Sequence, residues 1–406
     1  MWGDASPSAT GIHVTREKAL SIPAVWRAVA TVADTLASLP FGIFERTTNG
    51  SAPAVSHKLY NLIRLEPSPN QTAFNFRRAL FLQACFGDAY AIIHRNGIGR
   101  AERLELLDAR DVTQYQRDSG ERFYVVRRTI GNRHSEEVYR PDEMLHVRGI
   151  TLDGETGLDV VNIHRDNFGM GIAATRYGAA FFGNGAHMDK ALVYPGNMTD
   201  QNRANAEAAI KKKSGVDNTG KTWLLDGGVK IEQFGIDPQK ATLTESRRFQ
   251  ADESARIFGV PAHLIGQLDR ATFNNIEVMN TQFVTLCLRP WAIQAEQEFA
   301  VTLLTREEKT SDRLFFRFNL DGLLRGATKD RAEYYRAALG GPGSGSGWMT
   351  PEEIRELENL NLAPDHGELF DVADAMQPQE MEEPQTDEPQ TENDDENDNE
   401  TPQASA

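Results

Sequence analysis

FQADESARIFGVP (249–261), GQLDRATFNN (266–275) and LRPWAIQAEQEF (288–299) decide how this chain is read. The first is a helical run that Gly259-Val-Pro261 stops, the second a polar loop, and the third lies in a longer helical run from Glu277 to about Leu304. Pro290 sits in the middle of that run. A proline inside a helix removes a backbone donor and clashes with the preceding turn, at ~3 kcal/mol unless the helix bends. The sequence therefore predicts a kinked long helix hung from a polar loop and a shorter helix. Met279, Phe283, Leu286, Pro290 and Ile293 follow at steps of 4, 3, 4 and 3, which predicts a core-facing stripe. No catalytic constellation lies in the region, so it reads as a mechanical or structural part.

Working outward, residues 1–17 read as a loose arm. Ser21-Ile-Pro23 opens a helix, with Ser21 as its cap, and Val25, Val29, Val32 and Leu36 mark its buried face. Phe41–Arg46 reads as a strand and Thr72–Phe86 as a second helix. From Ala89 the period becomes two. Tyr90–Arg95 with Leu104–Leu107, and Asp111–Arg117 with Arg122–Arg128, read as hairpins, and Glu143–Arg148 as a further strand. Helices followed by a meander make 18–150 an α+β unit. A run from Asp159 to Phe182 is rich in Gly and Ala, which weakens an isolated helix, so tertiary or subunit contacts are expected to hold it. Within the insert 185–240 the sequence predicts a helix over Asp200–Lys213 and a hairpin around Asp226-Gly-Gly228. GGPGSGSG (340–347) is a flexible linker, followed by a short helix, Pro351–Leu360.

Composition narrows the function classes. The chain has 406 residues and a net charge of −16. Eleven carboxylates and no Lys or Arg lie between Gln377 and Ala406, which leaves −5 for the rest. That tail is low-complexity and is expected to be disordered. A mildly acidic body disfavours tight static binding of duplex DNA. The two cysteines, Cys85 and Cys287, are too few for a disulfide framework or a zinc site and read as buried free thiols in a reducing compartment. The start MWGDASPSATG has no signal-peptide pattern, and no run of about 18 apolar residues predicts a membrane span.

Candidate chemistry is sparse. Gly215-Val-Asp-Asn-Thr-Gly-Lys-Thr222 matches the phosphate-loop pattern G-x-x-x-x-G-K-T. Such a loop works when a strand feeds it and a helix leaves it. Here a helix precedes it and a strand–turn–strand pattern follows, so an exposed turn is the preferred reading and a P-loop ATPase using Lys221 the alternative. Lys211, Lys212, Lys213 and Lys221 form a basic cluster, read either as a solvated face or as a docking surface for an acidic partner or phosphate. No histidines stand at metal-ligand spacing, and His146 reads as a satisfied sheet residue. A second alternative is a cytosolic scaffold whose acidic tail meets a basic partner.

A series of short motifs runs along the chain: Ser21-Ile-Pro-Ala-Val-Trp-Arg-Ala-Val29, Leu39-Pro40, Glu66-Pro-Ser-Pro-Asn70, Gly87-Asp-Ala-Tyr90 and Met144-Leu-His-Val-Arg-Gly149. It continues through Phe181-Phe-Gly-Asn-Gly185, Phe258-Gly-Val-Pro261, Asn274-Asn275 with Leu288-Arg-Pro290, and Asp330-Arg-Ala-Glu-Tyr-Tyr335. In their order and spacing these resemble the portal proteins of long-tailed bacteriophages. The resemblance spans roughly residues 18–366. It implies a non-enzymatic subunit of a ring, a dodecamer, at one vertex of the phage head, assembled in the bacterial cytoplasm. The implied parts are an α/β wing (18–158, joined by the kinked helix and return segment 277–325), stem helices (159–185 and 241–265) and a small α/β clip (186–240). A tunnel loop (266–276), a short helical crown (326–370) and the acidic tail (371–406) complete it. Gln267, Asp269, Arg270, Thr272, Asn274 and Asn275 would then approach double-stranded DNA, and the lysine cluster would dock partners. The implied partners are the terminase large subunit, the head–tail adaptor, and the major capsid and scaffolding proteins; no cofactor, metal or membrane is implied.

Overall fold

Val25, Val29, Val32 and Leu36 are buried along one side of a helix over Pro23–Ser38, and the molecule is organised around that face. The computed structural model describes residues 7–48, 50–131, 133–183, 190–193, 196, 199–213, 230–233, 243–267, 273–324, 328–340 and 347–357. The chain divides into two units, 1–325 and 326–406.

The first unit opens with α1 (Arg16–Leu20) and α2 (Pro23–Ser38). Residues 7–17 are not a loose arm. Ser8 and Val14 are buried, and the Ala9 amide donates to Asp166 Oδ1 at 2.7 Å. Nor does Ser21 cap α2; Ile22 holds that position without a side-chain bond, and Ser21 Oγ donates back to the Lys18 carbonyl at 2.6 Å. Pro23 supplies the fixed φ that starts the helix. Next come β1 (Phe41–Thr47), β2 (Gly50–Pro53), α3 (Leu59–Arg64) and α4 (Ala73–Ala84). Thr72 caps α4 by accepting from the Asn75 amide. The buried Arg77 donates to the carbonyls of Ala37 (2.8 Å) and Ile63 (3.2 Å), at the C-terminal ends of α2 and α3, where a cation suits the helix dipole. Burial brings its pKa down to about 10.

The expected single meander is two stacked three-stranded sheets. β3 (Asp88–Arg95), β4 (Ala101–Leu106) and β8 (Met144–Arg148) make one, in the order β4-β3-β8. β5 (Val112–Gln116), β6 (Arg122–Ile130) and β7 (Arg133–Tyr139) make the other. The strand alternation explains the stacking. Ala89, Ala91, Ile93, Leu145 and Val147 point into the main core, whereas Tyr90, Ile92 and Met144 point at Val112, Tyr124 and Val126 of the second sheet.

Beyond the sheets run α5 (Val160–Ile163), α6 (Arg165–Gly183), β9 (Lys190–Val193), α7 (Asp200–Lys213), β10 (Lys230–Gln233) and α8 (Leu243–Ile257). β10 pairs antiparallel with β9; the hairpin expected around Asp226-Gly-Gly228 lies outside the described residues.

The long helical run has three parts: α9 (Phe273–Gln282), one turn of π-helix (Phe283–Leu288) and α10 (Arg289–Leu303). The Arg289 amide donates to the Val284 carbonyl, five residues back. The wider turn lies just before Pro290, the residue with no amide proton to give to Leu286, so the irregularity falls where the proline demands it. It also shifts the helix phase. The predicted stripe fails past Phe283: Leu286, Pro290 and Ile293 face outward, and Leu288, Ala292, Ala295, Phe299 and Leu303 are buried instead. α11 (Arg306–Ser311) starts from a capping box made by Thr305 and Glu308. β11 (Leu314–Phe318) then returns to pair antiparallel with β1, Phe41 opposite Phe318. Phe41, Phe299, Phe316 and Phe318 pack edge and face there, at ring separations of 4.1–6.0 Å. α12 (Asp321–Leu324) closes the unit.

The second unit contains α13 (Thr328–Leu339) and α14 (Pro351–Leu357). The ring of Trp348 meets Tyr334 edge-on at 5.4 Å, and its amide donates to the Ala338 carbonyl at 2.8 Å. The acidic tail lies outside the described residues.

Candidate functional site

Gly259 stops α8 with φ of 66°, and the Val260 amide returns to the Ala255 carbonyl at 2.9 Å. This is the glycine termination that a left-handed residue after a helix provides. A side chain here would be strained, so Gly259-Val-Pro261 is a stop for a definable reason. Ala262–Ile265 then forms one 3₁₀ turn, closed by Gly266 at φ of 94°. His263 Nε2 bonds Asn280 Oδ1 at 2.9 Å, and Arg27 Nε donates to the Leu264 carbonyl at 3.3 Å. The turn before the polar loop is thus tied to α2 and to the helix that begins at Phe273. Cys287 Sγ lies 3.5 Å from the Phe258 carbonyl, and burial pushes this thiol up to about 11. Cys85 is fully buried, and burial raises its thiol too. Both are therefore protonated at neutral pH, and thiolates are the reactive form.

Of the predicted loop residues, Gln267 is half-buried at the edge of the 3₁₀ turn. Asp269, Arg270 and Thr272 lie outside the described residues. Asn274 and Asn275 are not in the loop: α9 starts at Phe273 and includes both. Their asparagine character favoured a loop reading, but the apolar steps through Val278 and Met279 carry the helix further upstream. Lys211, Lys212 and Lys213 are the last three residues of α7. Lys221 and the whole Gly215–Thr222 stretch lie outside the described residues, with α7 before them and β10 after.

Sequence reasoning missed the polar hub beneath these segments. Asp88 is fully buried at the start of β3. Its Oδ1 faces His146 Nε2 at 2.8 Å and accepts from the Gly157 amide at 2.9 Å. The His146 ring stacks on Tyr90 at 4.4 Å, and its Nδ1 lies 3.3 Å from the Tyr124 hydroxyl of the second sheet. Gln114 Nε2 donates to the Tyr90 hydroxyl at 2.8 Å, and burial, then Asp88, raises the pKa of Tyr90. His146 is thus the satisfied sheet residue expected. The only sequence signal for the hub was Gly87-Asp-Ala-Tyr90, an acid inside an otherwise apolar strand. Next to it Arg148 pairs with Glu298, and Gln294 donates to the Arg148 carbonyl at 2.9 Å, fastening β8 to α10.

Burial also depresses the pKa of His146, outweighing the pull of Asp88. The folded protein therefore keeps this imidazole neutral where the unfolded chain, titrating near pH 6.5, already binds a proton. The stability it protects is complete above about pH 6.5 and is lost as pH falls below it. Glu296 and Glu298, raised by burial, act in the opposite direction. The contrast to measure is therefore wild type against His146→Gln: between pH 7.5 and 5.5 the wild-type melting temperature should fall more than that of the variant. Parallel pH profiles would contradict this assignment.

The described residues thus offer helices, braced turns and a buried structural hub. The model of the phage portal protein family matches residues 23–359, and the chain belongs to that family. The portal protein of Enterobacteria phage HK97 is 31% identical over 367 residues, covering 86% of this chain and 81% of its own. Among solved structures, the neck of a native gene transfer agent particle, computed with C12 symmetry, aligns at a TM-score of 0.54 and 20% identity, covering 89% of this chain and 97% of that one. The crystal structure of an HK97 family phage portal protein from Corynebacterium diphtheriae aligns at 0.53 and 18% identity, covering 79% and 98%.

Proposed function

We propose that this chain is one subunit of a ring, a dodecamer, at a single vertex of a phage head. The ring is the conduit for double-stranded DNA during packaging and ejection, and the platform on which the terminase and then the head–tail adaptor dock. The family match over 23–359 carries the reading, and the likeness to a neck of twelvefold symmetry supports the copy number. In this reading β1–β8 with α10 and β11 form the wing, α6 and α8 the stem, and β9, α7 and β10 the clip, whose Lys211–Lys213 meet partners. The tunnel loop is the segment between Gly266 and Phe273.

The physics suits a conduit. A ring closes through unlike faces of identical subunits. DNA must slide, so strong phosphate contacts would work against it, and a body charge of −5 outside the tail agrees with weak, sequence-blind contact. Energy for packaging comes from the terminase, not from this chain. Mass photometry and negative-stain microscopy of the purified protein with its head partners should find rings with a central channel. Deleting 372–406 should leave them intact; loss of assembly on that deletion would favour the scaffold reading. Calorimetry should find no ATP binding that Lys221→Ala removes.

A further inference from the structure

The kinked helix carries an apolar stripe on its outward side. Val278, Gln282, Leu286, Pro290, Ile293, Gln297 and Val301 follow at steps of 4, 4, 4, 3, 4 and 4, and all seven are exposed. Leu286 is 75% exposed and Val301 64%. The steps place them along one side of the helix, opposite the buried row from Leu288 to Leu303. At 1.5 Å per residue the stripe is about 36 Å long, and one helix is roughly 10 Å across. That is a face on the order of 350 Å², within the size of the largest apolar patch on a typical monomer, which is often functional. Beside it, β8 ends where Arg148 meets Gln294 and Glu298. The chain continues through Ile150 to Leu152, which is 88% exposed. The loop is closed behind it by Leu158 donating to the Ile150 carbonyl at 2.8 Å and by the Thr151–Gly157 bridge. Leu152 is therefore an apolar knob on a braced loop.

We infer that this stripe, with the Leu152 knob at its flank, is the face by which one subunit packs against the next copy of the same chain. The inference rests on the ring reading above. Its seven positions carry no Lys or Arg, and the exposed Arg289 beside Pro290 is a single cation, too few for the many phosphate contacts that nucleic-acid binding uses. Its composition, apolar with Gln282 and Gln297 interspersed, suits the centre of a contact between copies, which is more apolar than ordinary surface. Its area is about half of the ~800 Å² that each partner gives to a standard contact, so it can supply the centre while the rim comes from neighbouring residues. A ring needs one such face on each copy, meeting a different surface on the next.

The test compares wild type with L286D/I293D/V301D and with L152D, all as the full chain, by mass photometry over a concentration series. The triple variant should need at least about tenfold more protein to form rings, and L152D should weaken assembly less. Melting temperatures should match at low concentration, because the three side chains are exposed in the single subunit. Rings formed by the triple variant at wild-type concentrations would overturn the inference and leave the ring reading standing. Wild-type protein that stays single-copy at every concentration would overturn the ring reading, and this inference with it. Should the triple variant misfold, hydroxyl-radical footprinting of the wild type decides. Leu286 and Leu152 should lose reactivity at least about threefold on ring formation, and unchanged reactivity would overturn the assignment.

Discussion

Replacing Asp88 with alanine should destabilise the folded subunit by about 3–5 kcal/mol, the cost of leaving two buried donors without an acceptor. Asp88 Oδ1 serves two groups at once, His146 Nε2 and the Gly157 amide, and Asp88 and His146 are both almost fully buried. Each donor left unpaired costs about 1–3 kcal/mol. Gly157 also lies so close to the Gly87 carbonyl that a Cβ would overlap it, so the loop has no room to re-pair elsewhere. Asp88→Asn keeps an acceptor oxygen and should recover most of the loss. In a thermal melt at low protein concentration, the alanine variant should fall by roughly 10 °C, at a few °C per kcal/mol for a unit of this size. A fall under 2 °C would mean that the hub does not carry the junction of the two sheets.

Phe299→Ala is expected to cost a similar ~3–5 kcal/mol, the range for a buried phenylalanine. Phe299 is 3% exposed and meets Phe41 edge-on at 5.0 Å and Phe316 at 6.0 Å. It is where α10 seats on the β1–β11 pair, so the cavity would open between the helix and the strand that closes the sheet. Phe299→Leu should cost under ~1.5 kcal/mol if the neighbours repack. The measurement is denaturant unfolding followed by limited proteolysis of 304–313. The alanine variant should be cut there faster than wild type; equal rates with a midpoint near wild type would contradict this account.

Local pattern carried much of the fold. Val25, Val29, Val32 and Leu36 gave α2 its buried face, and the polar composition of 200–213 gave α7 both its ends. What failed was non-local or phase-dependent. Nothing near Leu314–Phe318 announces that its partner is Phe41, because register between distant strands is set by the core they share. The stripe through Leu286 and Ile293 was assigned to the core because a uniform helical period was assumed, and the π turn before Pro290 breaks that period. β7 escaped because Arg133–Tyr139 is charged and exposed on most positions. At the candidate site the glycine stop at 259 was legible from Gly-Val-Pro. The hub around Asp88 was not, because a buried acid is defined by partners that are 58 and 69 positions away.

The pairing of Phe41 with Phe318 has a consequence for how the molecule is made. A ribosome adding 5–20 residues per second needs roughly 15–55 s to pass from β1 to β11. Throughout that interval the side of β1 that faces β11 is an open edge of the kind that recruits stray strands. The nascent polypeptide can cover only the other side, with β2. A translation product released before Leu314 never closes this sheet and keeps that edge of β1 open.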